Sequence, residues 1–184
     1  VAHSLNKLKH LTRLLAKNVT SELKTSKFIP RFFELEINAD KPDKIAPLIL
    51  TLKDGTSVSI KGVVDRVDLW DDGETTYVKV VDYKTGAKEF KLDDIKEGLN
   101  LQMLLYLFSI CSSTENKARL SCKGELKEAG VVYLSSKISG ITENSGVNEA
   151  EITDAAEEKL NRSGIILADE RVEKAINEDI KYVM

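Results

Sequence analysis

The run Val80-Val81-Asp82-Tyr83-Lys84-Thr85-Gly86 constrains the fold more than any other stretch of the chain. Its β-branched residues favour a strand, and Gly86 breaks it. Residues i and i+2 of a strand share a face, so Asp82 and Lys84 project side by side at its end. A second acid, Asp65, ends a similar run in Gly62-Val63-Val64-Asp65-Arg66-Val67-Asp68. Two acids and a lysine converging at strand ends can hold a divalent cation against a phosphodiester. The carboxylates supply hard oxygen ligands. The lysine steadies the attacking water or the charge of the transition state.

Around these runs the order of elements can be read coarsely. Leu5, Leu8, Leu11, Leu14, Leu15 and Leu23 recur at helical spacing over residues 3–26, and Pro30 closes that segment. Phe32–Ile37 alternates as a short strand, and Asn38–Ala46 reads as a loop. Leu48–Leu52 and Ser57–Leu69 read as strands joined by the turn Lys53-Asp54-Gly55-Thr56. Asp71-Asp72-Gly73-Glu74 is a second turn, leading into Thr76–Lys84. Leu99–Cys111 reads as a helix and Gly130–Ser135 as a buried strand. Residues 148–162 and 168–178 read as amphipathic helices. The expected core is a mixed sheet of residues 48–52, 57–69, 76–84 and 130–135, with helix 97–111 against it.

Length and charge narrow the function classes. A chain of 184 residues makes one domain of ordinary size. A net charge of −3 argues against a generally basic nucleic-acid coat, while leaving room for a local basic groove beside an acidic site. Cys111 and Cys122 lack a short paired spacing and fit a reducing cytoplasm. The opening Val-Ala-His-Ser-Leu-Asn-Lys has no signal-peptide pattern, and the chain reads as a piece cut from something longer. The apolar run Leu99–Cys111, interrupted by Asn100, Gln102 and Ser109, is too short to span a bilayer. The expectation is a cytoplasmic chain with no membrane contact.

The segment Gly98-Leu99-Asn100-Leu101-Gln102-Met103-Leu104-Leu105-Tyr106-Leu107 is apolar nearly all round. Gln102 and Tyr106 are four apart, hence on one helix face. Either Gln102 is a satisfied core residue with Tyr106 packing beside it, or their face looks onto the site made by Asp82 and Lys84.

Taken in order, Gly62–Asp68, Val81–Gly86 and Gly98–Leu107 resemble the motifs of the RecB-type nucleases of the PD-(D/E)XK superfamily. The likeness is greatest to the C-terminal nuclease domain of the B-type chain in ATP-dependent helicase/nucleases of the AddAB class. Phe33-Glu34-Leu35 resembles that family's acidic strand before the first motif. Gly164-Ile165-Ile166-Leu167-Ala168-Asp169-Glu170 resembles its segment beyond the last core strand. A lone Asp-x-Lys is weak, whereas three ordered motifs in strand, strand and helix contexts are strong.

The resemblance implies an α/β, restriction-endonuclease-like fold: a mixed β-sheet flanked by α-helices. Residues 1–27 would be an N-terminal helix, 28–138 the nuclease core, and 139–184 a helical extension of the same domain. It implies a Mg²⁺-dependent DNA exonuclease domain, with Mn²⁺ able to substitute, in a bacterial helicase/nuclease complex acting in double-strand-break repair and recombination. The partners implied are DNA and the A-type helicase/nuclease chain of the same complex. Asp65 and Asp82 would be metal ligands, with the Tyr83 backbone carbonyl a third. Lys84 would be the catalytic lysine. Gln102 and Tyr106 would orient it or contact the DNA backbone. Lys88, Lys91 and Lys96 would form a basic rim touching phosphates without reading sequence.

Two family features lack a match. The family's metal-ligating histidine lies on a helix upstream of the first motif, and His3 and His10 do not sit in that setting. Cys111 and Cys122 lack the spacing of the family's iron–sulfur cysteines, so that cluster is expected only in the full-length parent. The fragment is then expected to bind metal weakly and to be inactive. From the residues alone, Asp65 could be an ion-paired structural acid, Asp82 and Lys84 a strand-end salt bridge, and the lysines a solvated charge run. A non-catalytic module binding DNA or bracing a partner, and a CRISPR-associated RecB-type exonuclease, remain open alternatives.

Overall fold

A computed structural model describes residues 2–84, 91–135 and 162–176. Helix α1 (Ala2–Thr25) precedes strand β1 (Ile29–Ile37). The short strands β2 (Ile49–Thr51) and β3 (Ser57–Ser59) follow. Strands β4 (Gly62–Asp71) and β5 (Thr75–Lys84) come next. Helices α2 (Leu92–Lys96), α3 (Gln102–Cys111) and α4 (Thr114–Arg119) lead to strand β6 (Glu125–Ser135). Strand β7 (Arg162–Ile166) and helix α5 (Glu170–Ile176) complete the described chain.

Both turn signals are used. Gly55 and Gly73 take φ values of +84° and +102°, where a side chain would be strained. Asp54 and Asp72 accept hydrogen bonds from backbone amides within those turns.

The main sheet has the order β1-β4-β5-β6-β7. All pairings are antiparallel except β5 with β6, which run parallel. A parallel neighbour needs a crossover, and α2, α3 and α4 lie between those two strands in the chain. The result is the mixed, helix-flanked sheet expected. On one face, Met103, Tyr106, Leu107 and Ile110 of α3 pack into the main core with Val67, Val78, Val80 and Val131. On the other, Val19 of α1 packs against Val81, Val132 and Leu134. A third cluster joins α5, through Val172, Ala175 and Ile176, to Phe28 and Tyr77.

Four expectations need correction. Residues 48–52 are not in the main sheet: β2 pairs only with β3, as a separate two-stranded ribbon. The run 57–69 is interrupted before Gly62, so β3 and β4 belong to different sheets. The neighbour of β4 is instead β1, long enough to match it from Gly62 to Leu69. The helix expected over 97–111 starts only at Gln102, because Gly98 and Asn100 have positive φ. Finally, 162–166 is a strand pairing with β6 at the sheet edge, so the stretch expected in a helical extension over 139–184 and beyond the last core strand supplies a strand of the main sheet. The expected helix over 148–162 otherwise lies outside the described residues.

Candidate active site

Arg66 pairs with Val81 across β4 and β5. Asp65 precedes the first and Asp82 follows the second. Alternation turns both acids away from Arg66 and Val81, onto the face where Val67 and Val80 enter the main core beneath α3. Asp65 does not end its strand as expected: it is the fourth residue of β4, and with Asp82, the eighth of β5, it stands on one side of the sheet.

Their surroundings differ. Asp65 is half-buried, and its Oδ2 accepts the backbone N–H of Tyr83 at 2.9 Å. The Asp82 side chain is only 15% exposed, and its Oδ2 lies 2.6 Å from Nζ of Lys84. That oxygen is buried, with the Lys84 ammonium against it. Lys84 also stands 5.5 Å from the ring centroid of Tyr133, which pairs with Asp82 across the parallel β5–β6 ladder. Burial, and then the charge of Asp82, push the Tyr133 phenol above its ordinary pKa. Sequence reasoning missed Tyr133: its position in the apolar run Val131–Leu134 looks like core, and only strand pairing brings it to Asp82.

A mostly buried carboxylate on the same face as a second acid offers hard oxygen donors that suit a hard cation. Magnesium commonly takes one or two protein carboxylates and keeps water in its remaining positions. Among the described residues no group of three or more His, Cys, Asp or Glu side chains is placed to hold a metal.

Gln102 and Tyr106 do lie on one face of α3, and Gln102 Nε2 donates to Tyr106 Oη at 2.8 Å. The helix is not buried all round: Gln102 is exposed, and Phe108 is 43% exposed. Tyr106 is 5% exposed, and its hydroxyl is seated on Gly62, where an added Cβ would come within 1.9 Å. Its ring is core, which does not suit the direct DNA contact expected of it. Lys91 is exposed immediately before α2. Lys96 pairs with Asp93 at 3.1 Å. Lys88 lies outside the described residues, as do Thr85 and Gly86. The side chains of His3 and His10 are also outside them. Glu34 is exposed on β1, and Cys111 and Cys122 are free thiols.

Arg66 and Asp68 belong to a buried ionic cluster on the opposite face. Arg66 donates through Nε and Nη2 to both oxygens of Asp68, at 2.8 and 2.9 Å. Lys79 lies 3.1 Å from Asp68 and 3.3 Å from Glu22 of α1. Arg162 of β7 reaches Glu22 at 3.0 Å. The sequence signal for this cluster is a lysine inside the β-branched run Val78-Lys79-Val80, which is costly to bury unless paired.

The fold is a mixed, helix-flanked sheet with two acids and a lysine on one face, and comparison with known proteins identifies it as a nuclease fold. The PD-(D/E)XK nuclease superfamily profile matches residues 2–181. The chain belongs to that superfamily. It is similar to the B subunit of the ATP-dependent helicase/deoxyribonuclease of Clostridium kluyveri (strain NBRC 12016), 33% identical over 181 residues, and of Clostridium novyi (strain NT), 35% identical over 174. The same-named protein of Thermoanaerobacter sp. (strain X514) is 30% identical over 175 residues. These alignments cover 93–94% of this chain and 15% of each relative, so the chain spans about a seventh of their length. No helix among the described residues is long and apolar enough to cross a membrane.

Proposed function

We propose that this chain is the DNA-cleaving domain of a helicase/deoxyribonuclease, hydrolysing phosphodiesters with the help of Mg²⁺ or Mn²⁺. The observation that carries this reading is that Asp65, which accepts the Tyr83 amide, and the Asp82–Lys84 ion pair lie on one face of the sheet. Asp65, Asp82 and the Tyr83 carbonyl would hold the cation. When bound, it would polarise the scissile phosphate and make water more acidic.

The chain's own residues do the rest. Tyr83 orients Asp65 through its backbone amide. Lys84, now paired with Asp82, is positioned to meet negative charge developing on the phosphate. Tyr133 covers the lysine from the neighbouring strand. Lys91, with Lys88, would position the strand through its phosphates. Gln102 and Tyr106 support the start of β4 rather than bind DNA. The relatives' shared name, a helicase/deoxyribonuclease chain, supports a role beside ATP-driven unwinding and a helicase partner. The setting we assign to it is double-strand-break repair in the bacterial cytoplasm. The iron–sulfur cluster would belong to the longer parent.

The test is paramagnetic broadening by Mn²⁺ of the backbone NMR signals of residues 65 and 82–84. It should occur in the chain and vanish in Asp82→Ala. In a full-length helicase/deoxyribonuclease carrying this domain, Asp82→Ala should abolish DNA cleavage and leave DNA-dependent ATP hydrolysis intact. Unchanged cleavage would sink the assignment.

A further inference from the structure

We propose that Tyr83 is a positioning residue acting from the opposite face of the sheet: its hydroxyl, held by buried Arg66, fixes the backbone that orients Asp65 and carries Asp82 and Lys84. The functional consequence rests on the nuclease reading above; the structural link does not.

Tyr83 lies between Asp82 and Lys84, so its side chain turns to the other face. There Arg66 Nη1 donates to Tyr83 Oη at 2.9 Å, and the guanidinium carbon stands 5.8 Å from the ring centroid. Tyr83 is 36% exposed, so packing alone does not immobilise it. Arg66 is 1% exposed and has little freedom. Its other two nitrogens fork onto Asp68, and Nη2 also faces Glu22 at 3.9 Å. Asp68 and Glu22 are in turn bridged by Lys79, and Glu22 is gripped by Arg162. Elements α1, β4, β5 and β7 all contribute to this cluster. Its three cations, Arg66, Lys79 and Arg162, face two carboxylates, Glu22 and Asp68. The phenol oxygen is the acceptor to which the remaining guanidinium nitrogen turns.

The same residue's backbone reaches the site. The Tyr83 amide donates to Asp65 Oδ2, so a shift of the Tyr83 main chain moves the hydrogen bond that aims one acid. Its two chain neighbours are the other acid and the lysine. Tyr83 therefore couples the buried cluster to the catalytic face, its side chain held on one side and its amide engaged on the other. A Tyr83 that merely covered the cluster would affect stability and nothing beyond it.

The variant Tyr83→Phe removes only the hydroxyl. Two readouts separate the roles: hydrogen exchange of the amide at position 83, and Mn²⁺ affinity from paramagnetic broadening. Positioning predicts faster exchange at that amide and Mn²⁺ affinity lowered about 10-fold, the usual scale for groups that orient metal ligands. In an Asp65→Ala background, where the acceptor is gone, the hydroxyl's loss should add little to the exchange rate. Unchanged exchange in Tyr83→Phe, or a full additional effect in the Asp65→Ala background, would overturn the inference. Absence of Mn²⁺ uptake by the unaltered chain would count against the nuclease reading alone, because amide exchange would still decide the positioning role.

Discussion

The backbone amide of Tyr83 and the carboxylate of Asp65 are joined by a 2.9 Å hydrogen bond that ties the end of β5 to β4. Asp65 is thus both a candidate ligand and a strand-end clasp. Asp65→Ala should lower stability by only about 0.5–1.5 kcal/mol, the net worth of one such bond. It should nonetheless remove Mn²⁺-induced broadening. Chemical denaturation and NMR on the same sample check the two effects; broadening that persists would show that Asp65 is no ligand.

Lys84 should separate metal binding from chemistry. Its ammonium is 2.6 Å from Asp82, yet it carries positive charge and cannot ligate a cation. In a full-length protein carrying this domain, Lys84→Ala should slow cleavage by about 10²–10³-fold, the scale of losing one transition-state charge partner. Mn²⁺ uptake should survive. Loss of both together would mean that Lys84 acts by holding Asp82 in place.

Gly62 has a steric reason to be glycine. A Cβ there would sit 1.9 Å from Tyr106 Oη and 2.4 Å from its Cζ, and the tyrosine is buried in the core. Gly62→Ala should push the ring aside and cost about 1–3 kcal/mol, as overpacking does. Thermal denaturation would read it, and a wild-type melting temperature would refute the contact.

Acid should weaken the buried cluster. Desolvation raises the pKa of Glu22, but Lys79, Arg162 and Arg66 together outweigh it and hold the carboxyl below its ordinary 4.5. A carboxyl depressed on folding stabilises the fold above its unfolded pKa, and that stability is lost as pH falls through the folded value. Stability should therefore drop below about pH 4.5, and this component should disappear in Glu22→Ala. At neutral pH that variant should lose about 3–5 kcal/mol, since it leaves buried cations facing Asp68 alone. Urea denaturation across the acid range would test both; a Glu22→Ala curve parallel to wild type would refute the role of Glu22.

Short-range features were legible in the sequence. The β-branched runs around Asp65 and Asp82 read as strands, and Gly55 and Gly73 mark the turns between β2 and β3 and between β4 and β5. Spacing alone puts Asp82 beside Lys84 and Gln102 beside Tyr106, because each pair lies within one element. The failures came where the partner is distant in the chain. Nothing local says that β4 pairs with β1 rather than continuing from β3, or that residues 162–166 reach the edge of β6. Pairing energy depends on which distant strand can cover an edge and bury its face, so tertiary structure decided it. The same holds for charge. Glu22, Arg66, Lys79 and Arg162 are scattered over the chain, and only folding removes them from water and makes each other's company obligatory. Their meeting, and through Arg66 the hold on Tyr83 behind the two acids, belongs to the tertiary structure alone.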